Sequence, residues 1–446
     1  WSYASNLVPG DTNGFGDVFV RDRQTGNTSR VSVGSAGEQG NDETGYFNSI
    51  SVDGRFVAFD SNASNFVPGD TNGFTDVFVH DRQTGQTSRV SVGIAGIQGN
   101  DASDLPSLSA DGRFVSFWSF ASNLVPGDTN GFADLFVHDR QTGQTSRVNV
   151  NSAGEQANAD AGFNSISADG RFVAFESDAS NLVPDDTNGY ADVFVHDRQT
   201  GQTARVSVAS GGAQGKGGSR SPSISGDGRY VAFRSYDSDL VPGDTNFYED
   251  VFVHDRVSGQ TTRVSVASDG TEGSYASGGL AIAGGCPAIS ADGRVVAFIS
   301  DAPNLVPGDT NKLPDVFVHD RHTARTTRVS VDSAGGQANE FSAYFPVVIS
   351  ADGRSVAFDS LASNLVPGDT NNTFDVFVHD RGATTPACPG DVDGSNGIGL
   401  SDIAVLIQNW TFAVPPAPAA ADLDGNGSIG LGDVAAVILH WAETCQ

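Results

Sequence analysis

The sequence of 446 residues predicts an all-β protein, a β-propeller of four-stranded blades, and three observations support this fold class. First, one unit recurs along most of the chain, with 58 residues between the first four copies. Second, each copy contains four short runs rich in β-branched and aromatic residues, separated by turn signals. Third, no stretch of the first 380 residues shows sustained helical periodicity. The triplet Asp-Gly-Arg marks the copies and begins at Asp53, Asp111, Asp169, Asp227, Asp292 and Asp352.

The copy between Ser107 and Val150 shows the four predicted strands in order. The first strand, SLS here and NSIS elsewhere, is short, and the Asp-Gly pair after it indicates a tight turn. The second and third, RFVAF and DVFVHD in most copies, are mostly apolar, as expected of strands covered on both faces. A Thr-Gly turn then leads to TSRVSV, whose alternation is typical of an outer strand.

The number of blades stays open between seven and six. Residues 1–33 supply only a third and a fourth strand, and the last copy, at about 346–381, stops after its third. The triplet Asp-Thr-Asn occurs seven times, which favours seven blades. Six blades would result if residues 1–33 completed the last one. Complete blades are expected at about 47–93, 105–150, 163–208, 221–266 and 287–331.

The phrases SADGRFVAF and DVFVHDRQTG resemble the blade motif of TolB-like, WD-type propellers. The resemblance covers residues 1–382, and its many tandem copies make it specific for the fold. It is not specific for function, because that family includes binding modules, scaffolds and a few enzymes.

After a linker at 383–390, two related segments contain a twelve-residue loop pattern that suits calcium. They read GDVDGSNGIGLSDIAVLIQNW and ADLDGNGSIGLGDVAAVILHW, and they resemble the duplicated loop–helix segments of a type I dockerin. Residues 391–446 are therefore expected to form a small α-helical, dockerin-like module with calcium as its cofactor. The expected ligands are Asp391, Asp393, Ser395, Gly397 and Asp402 in the first loop, and Asp422, Asp424, Asn426, Ser428 and Asp433 in the second.

Two further features reinforce this small module. Apolar residues at helical spacing behind each loop, from Ile403 to Trp410 and from Val434 to Trp441, predict two helices with one apolar face each. Cys388 and Cys445 bracket the module, so a disulfide between its ends is expected beside calcium. Such a disulfide implies an oxidising, extracellular setting.

The loop after the second strand carries Asp-x-Asn-x-x-x-Asp in all seven copies. Converging side-chain oxygens suit a calcium ion, whereas Asp and Asn also cap turns through their own backbone, and both interpretations stay open. The long connection between blades should emerge on the same face, which is the expected ligand-binding face. The residues are Asp11, Asn13, Asp17, Asp70, Asn72, Asp76, Asp128, Asn130, Asp134, Asp186, Asn188, Asp192, Asp244, Asn246, Asp250, Asp309, Asn311, Asp315, Asp369, Asn371 and Asp375.

The overall charge and the ends of the chain bear on partners and location. With 54 acidic and 25 basic residues, the net charge is −29, which argues against a nucleic-acid partner. No apolar run is long enough to span a membrane. The chain has no Met and opens in mid-repeat, so we expect that an N-terminal segment with a signal peptide has been lost. The expected location is extracellular or at the cell surface.

Six of the eight histidines occupy one repeated position, which predicts a structural role because a catalytic base would be singular. No Ser/His/Asp spacing, nucleophile elbow or zinc-ligand cluster is recognisable. The sequence therefore predicts a secreted or surface-anchored, non-catalytic binding or scaffold protein. Its propeller would bind a glycan or protein ligand, and its tail a cohesin-like protein or cell-surface anchor. The alternative is a carbohydrate-active enzyme, a polysaccharide lyase or glycosidase, carried on a dockerin.

Overall fold

The computed structural model describes residues 1–278 and 285–382, which form a β-propeller of six blades. Five blades are antiparallel sheets of four strands, the sixth has three, and a two-stranded sheet stands beside them. Within the described ranges, no helix is long and apolar enough to cross a membrane. The predicted linker at 383–390 and the dockerin-like module at 391–446, with its two helices, lie outside the described residues.

The strands follow one another along the chain in each sheet. The two-stranded sheet consists of β1 (Phe19–Arg21) and β2 (Thr28–Arg30). The first blade consists of β3 (Thr44–Ile50), β4 (Phe56–Ser61), β5 (Asp76–Asp81) and β6 (Gln86–Arg89). A short 3-10 turn at Ile94–Gly96 leads to the second blade. The second blade consists of β7 (Ser103–Leu108), β8 (Phe114–Ser119), β9 (Asp134–Asp139) and β10 (Gln144–Arg147).

The remaining blades repeat this order. The third consists of β11 (Ala161–Ile166), β12 (Phe172–Ser177), β13 (Asp192–Asp197) and β14 (Gln202–Arg205). The fourth consists of β15 (Ser219–Ile224), β16 (Tyr230–Ser235), β17 (Asp250–Asp255) and β18 (Gln260–Arg263). The fifth consists of β19 (Ala288–Ile289), β20 (Val295–Ser300), β21 (Asp315–Asp320) and β22 (Arg325–Arg328). The sixth consists of β23 (Val348–Ile349), β24 (Ser355–Ser360) and β25 (Asp375–Asp380).

The N-terminal residues form a sheet of their own, so the preference for seven blades is not met. Strand β1 pairs with β2 and not with the sixth blade. Val18 and Val31 of this segment pack against Phe59 of the first blade, while Arg23 Nη1 donates a hydrogen bond to Ser355 Oγ of the sixth at 3.2 Å. The two-stranded sheet therefore contacts both end blades without completing either.

The core lies between neighbouring blades. All six residues of β5 are buried, and Val77 and Val79 from this strand pack against Val115 and Phe117 of β8 in the next blade. The same contact recurs around the ring, because each copy supplies the same apolar residues at these positions. Burying a Val or Phe side chain contributes about 1.5–3 kcal/mol, so the repeated strands hold the blades together.

The fourth strand is shorter than the sequence predicted. The expected strand TSRVSV ends at its arginine, which is Arg89 in the first blade. Two residues later, Ser91 Oγ donates to Asp76 Oδ1 at 2.5 Å and accepts from Val77 N at 3.1 Å. These bonds hold the chain after β6 against the start of β5. The bond to the buried Asp76 carboxylate therefore ends the fourth strand.

The repeated histidines join neighbouring sheets, as a structural role requires. His80 Nδ1 lies 2.9 Å from Thr87 Oγ1, whose proton goes to Val33 O of the preceding sheet. The hydroxyl has one proton to give, so the imidazole donates from Nδ1, and burial favours its neutral form. Burial lowers the pKa of all five such histidines, and that of His138, His196 and His319 to about 4. The five are His80, His138, His196, His254 and His319.

Candidate functional site

The two long connections of each blade emerge on one face, the long-loop face, as the sequence predicted. Gln39 in the connection between blades donates from Nε2 to Gly10 O at 2.8 Å in the loop before β1. The same side chain accepts from Thr12 N at 3.1 Å. Asn41, two residues further on, donates to Ser64 Oγ of the next blade at 3.0 Å. The long loops are thus bonded into a continuous rim.

The repeated Asp and Asn residues come together around an arginine from the end of the fourth strand. In the N-terminal sheet, Arg30 Nη1 lies 3.1 Å from both Asp11 Oδ1 and Asp17 Oδ2. Asn13 turns its amide nitrogen toward Asp17 Oδ2 at 3.2 Å and accepts from Phe15 N through its oxygen. The arginines that hold an Asp pair in this way are Arg30, Arg89, Arg147, Arg205, Arg263 and Arg328.

This arrangement bears on the calcium interpretation of these loops. A guanidinium lies where a bound cation would have to sit, and Asn13 presents a donor rather than an oxygen to the Asp17 carboxylate. A buried carboxylate pair is costly unless it is compensated, and the arginine compensates it. In the seventh loop, Asn371 donates to Asp375 Oδ2 at 2.9 Å, and no arginine pairs with this carboxylate within the described ranges. Calcium at the seven loops stays a prediction.

The fourth blade departs from the repeated cluster. Glu272 stands where the N-terminal sheet has Gln39, so three carboxylates, those of Asp244, Asp250 and Glu272, lie within 4.8 Å of one another. Arg263 Nη1 reaches all three, at 3.4, 3.1 and 2.7 Å. Burial, and next the Asp250 carboxylate, raise the pKa of Asp244. One arginine therefore balances three acids in this blade.

A second set of side chains on the same face breaks the repeat altogether. It occupies the fifth position of the second strand in each blade, after the run FVAF or its equivalent. A different chemistry stands there in nearly every blade, whereas the neighbouring positions barely vary. The six residues of this variable ring are Asp60, Trp118, Glu176, Arg234, Ile299 and Asp359.

Glu176 of the variable ring is held by the first strand of the next blade. Its Oε2 accepts from Ser221 N at 2.6 Å, and Ser221 has a φ of +55°, which an L-residue adopts only under constraint. Arg220 approaches Glu176 Oε1 at 3.7 Å and Asp178 at 3.4 Å. Burial raises the pKa of Glu176. A buried carboxyl that resists ionisation thus lies beside a half-exposed arginine.

Arg234 joins this carboxyl to a second one. Its Nε donates to Ser221 Oγ at 3.0 Å, and its Nη1 donates to Glu249 Oε2 at 3.1 Å. Glu249 is 4% exposed, and burial raises its pKa as well. Cys286 from the fifth blade interacts with Ser221, and burial raises the pKa of its thiol to about 11. The thiol stays protonated at neutral pH, which makes it a poor nucleophile.

Glu176, Arg220, Arg234 and Glu249 form a mixed-charge cluster, and exposed aromatic rings lie beside it near Glu249. Tyr236 is 64% exposed and lies close enough to Glu249 for that carboxylate to raise its pKa. Tyr248 and Tyr275 stack with ring centroids 5.7 Å apart and are both exposed. Flat apolar faces thus stand next to paired hydrogen-bond donors and acceptors.

No protein-family model matches the sequence, and no curated protein does. Solved structures resemble the propeller. TolB from Acinetobacter baumannii is 16% identical, with a TM-score of 0.40, and the match covers 70% of this chain and 59% of that one. Oligogalacturonate lyase from Vibrio parahaemolyticus is 12% identical, with a TM-score of 0.49, and the match covers 83% of this chain and 84% of the other. Acylaminoacyl peptidase from Pyrococcus horikoshii is 12% identical, with a TM-score of 0.41, over 73% and 43%.

The prediction that the protein is not an enzyme is corrected by these findings. The solved structures that resemble the propeller include a lyase and a peptidase. The prediction also assumed that no singular group interrupts the repeats, whereas the mixed-charge cluster does interrupt them. Comparing the copies column by column at the position after FVAF would have revealed Glu176 and Arg234.

The calcium ligands predicted between Asp391 and Asp433, and the predicted disulfide between Cys388 and Cys445, lie outside the described residues. They stay predictions.

Proposed function

We propose that the propeller binds a glycan at the mixed-charge cluster on its long-loop face. The observation that carries the proposal is the position of this cluster beside exposed tyrosines, in a place where the repeat is broken. Tyr248 and Tyr275 offer ring faces on which the C–H groups of a sugar can stack, while Tyr236 offers an exposed hydroxyl. Arg220 and Arg234 supply the fixed donors that sugar hydroxyls or uronate carboxylates need.

The binding experiment compares two equivalent rings. Tyr248 in the fourth blade and Phe74 in the first occupy the same loop position and are 43% and 41% exposed. A glycan array on the full chain identifies a ligand, and titration calorimetry then measures its affinity. Tyr248→Ala should weaken binding about tenfold, as the loss of one stacking ring does, and Phe74→Ala should leave it unchanged. Equal losses in both variants would contradict the assignment of the site.

A second candidate function is cleavage of the bound glycan. Two buried carboxyls with raised pKa, those of Glu176 and Glu249, favour it, because a general acid has to hold its proton near neutral pH. Release of reducing ends from the array-identified glycan should fall at least about a hundredfold in Glu176→Gln or Glu249→Gln, while binding persists. Turnover that is unaltered in both variants would remove these residues from any catalytic role.

The C-terminal segment completes the proposal. Its resemblance to a dockerin supports an extracellular or surface-bound protein, which calcium-loaded loops attach to a cohesin-like partner or a cell-surface anchor. In equilibrium dialysis of the full chain, Asp391→Asn and Asp422→Asn should each reduce the number of bound calcium ions by about one, so that the tail accounts for about two. Capture of the protein on its host surface should reverse with EDTA. Capture that is insensitive to EDTA would contradict calcium-dependent attachment.

A further inference from the structure

The strongest unassigned feature is a pair of buried carboxylates at the variable ring. Asp60 ends the apolar run of β4 in the first blade, and Asp104 lies on β7 in the second. Asp60 is 6% exposed, and within the described ranges Oδ1 of each carboxylate is buried without a hydrogen-bond partner. Burial is the largest influence on the pKa of both groups, and no arginine or lysine contributes to either. Six of the seven Asp pairs of the loops, by contrast, meet a guanidinium.

Asp359 shows how a carboxylate at the strand position of Asp60 can have hydrogen-bond partners for both of its oxygens. Asp359 follows the same run, VAF, in the sixth blade and occupies the same strand position as Asp60. Its two oxygens accept from Tyr344 N at 3.2 Å and Phe345 N at 3.1 Å. The protein can therefore bond both oxygens at this position with its own backbone, whereas Oδ1 of Asp60 has no partner within the described ranges.

A third oxygen atom, the hydroxyl oxygen of Thr44, lies near Asp60 and is not acidic. Thr44 is 3% exposed, and its Oγ1 is also buried without a hydrogen-bond partner in the described part of the chain. Thr44 and Asp60 line one cavity of about 160 Å³, together with Glu43, Asn62, Thr75 and the aromatic rings of Trp1, Tyr3 and Tyr46. The Trp1 indole N–H is donated to Thr44 O, and the other polar side chains of the cavity offer oxygens. Asp104 does not line the cavity, but it lies close enough to Asp60 that, after burial, its charge raises the pKa of that carboxyl. A buried charge without a partner is usually neutralised or bound to a metal ion.

We propose that Asp60, Asp104 and Thr44 bind a divalent cation that prefers oxygen ligands, with calcium as the best fit. Two carboxylates and a hydroxyl provide hard oxygen donors, and water in the cavity can complete the six or seven that calcium takes. Burial, and next Asp104, raise the pKa of Asp60 to about 8, while burial raises that of Asp104 to about 6. A cation would remove both penalties, whereas without it the pair can lower its charge only by taking up protons.

The test counts ions on the full chain, in which the tail contributes its own. Equilibrium dialysis at about pH 8 compares the unaltered protein with Asp60→Asn, Asp104→Asn and the matched control Asp359→Asn. We expect about one calcium ion fewer per chain in the first two variants and no loss in the control. Thr44→Val, which removes only the hydroxyl, should weaken this one site several-fold and provides a second variant if a carboxylate change impairs folding.

Binding to this site should also compete with protons, because both carboxyls must ionise. Its apparent affinity should fall by at least about tenfold from pH 8 to pH 6, because ligands that lose protons on binding a metal make the affinity depend on pH. An unchanged ion count in both Asp60→Asn and Asp104→Asn would overturn the proposal, and so would an equal loss in Asp359→Asn. The glycan proposal is unaffected by either result, since it rests on the third to fifth blades.

Discussion

The loop clusters and the variable ring lie on the same face, but their charged residues are paired differently. Around the loops, six of the seven Asp pairs meet an arginine from the same repeat, and the arrangement recurs from Arg30 to Arg328. In the variable ring, the partners differ from blade to blade: Glu176 bonds to Ser221 of the next blade, Arg234 bonds to Ser221 and Glu249 of its own blade, and Oδ1 of Asp60 has no partner within the described ranges. The repeated positions thus stabilise the fold, while the positions that differ between blades are the ones we propose for ligand binding.

The largest expected effect on stability comes from removing the arginine of one uniform loop cluster. Arg147 is 11% exposed and holds Asp128 and Asp134 of the second blade at 3.1 and 2.8 Å. Arg147→Ala leaves two buried carboxylates uncompensated and should lower the free energy of unfolding by about 3–5 kcal/mol. Urea unfolding at about pH 7 measures the loss.

Arg113→Ala is the control for this prediction. Arg113 also pairs with a carboxylate, that of Asp139 at 2.7 Å, but its side chain is 38% exposed, so a much smaller loss is expected because solvent screens the pair. Similar losses in the two variants would contradict the distinction between buried and exposed pairs. Recovery of Arg147→Ala in millimolar calcium would support the calcium interpretation of the loops, because an ion would then replace the guanidinium.

The next largest effect concerns Asp60 of the variable ring and the pH dependence of stability. The pKa of Asp60 is raised from its ordinary 3.8 to about 8, so its contribution to stability is complete below about pH 4 and is lost as the pH rises through about 8. In EDTA at about pH 8, Asp60→Asn should therefore unfold at a higher urea concentration, with a gain of about 1–3 kcal/mol. At about pH 4 the two proteins should be nearly equal. A variant less stable than the unaltered protein at the higher pH in EDTA would show that the ionised carboxylate is stabilised by a group other than a metal ion.

The smallest effect concerns the one loop cluster that is not uniform. Because the Glu272 charge contributes to the raised pKa of Asp244, stability should decline between about pH 4 and pH 7 as Asp244 ionises. Glu272→Gln should flatten this decline by no more than about 0.5–1 kcal/mol, since Arg263 already offsets much of the charge of the three carboxylates, and thermal unfolding across the interval measures the change. The reverse change, Gln98→Glu, should introduce such a decline in the first blade. No change of slope in either variant would mean that Arg263 and its equivalent Arg89 already balance the third acid.

The sequence predicted the parts of this structure that each copy determines alone. Runs such as DVFVHD form β5 and its equivalents because their residue types and turn signals suffice locally. The end of the fourth strand was misplaced because Ser91 bonds to Asp76, a contact that spacing in one strand does not reveal. The blade count failed for a similar reason, since β1 and β2 pair only with each other.

The candidate site was harder to predict because it exists only between blades. Glu176 and Ser221 are 45 residues apart in the chain and meet through the packing of β12 against β15, and Arg234 reaches Ser221 from the adjacent strand β16. Asp60 looks like any other aspartate in the sequence, and its run VAFDS is the same as that of Asp359. The backbone N–H groups near Asp359 distinguish the two, and these depend on how the preceding segment approaches.

The five buried histidines make the stability of the propeller fall at acidic pH. Burial lowers the pKa of each below the ordinary 6.5, and that of His138, His196 and His319 to about 4, so the stability that the neutral rings contribute is complete above pH 6.5 and is lost as the pH falls below it. One proton taken up on unfolding changes stability by about 1.4 kcal/mol per pH unit. Acidification therefore weakens every junction that these histidines make between sheets. The propeller should lose stability more steeply in acid than a single buried histidine would cause, because all five junctions weaken together.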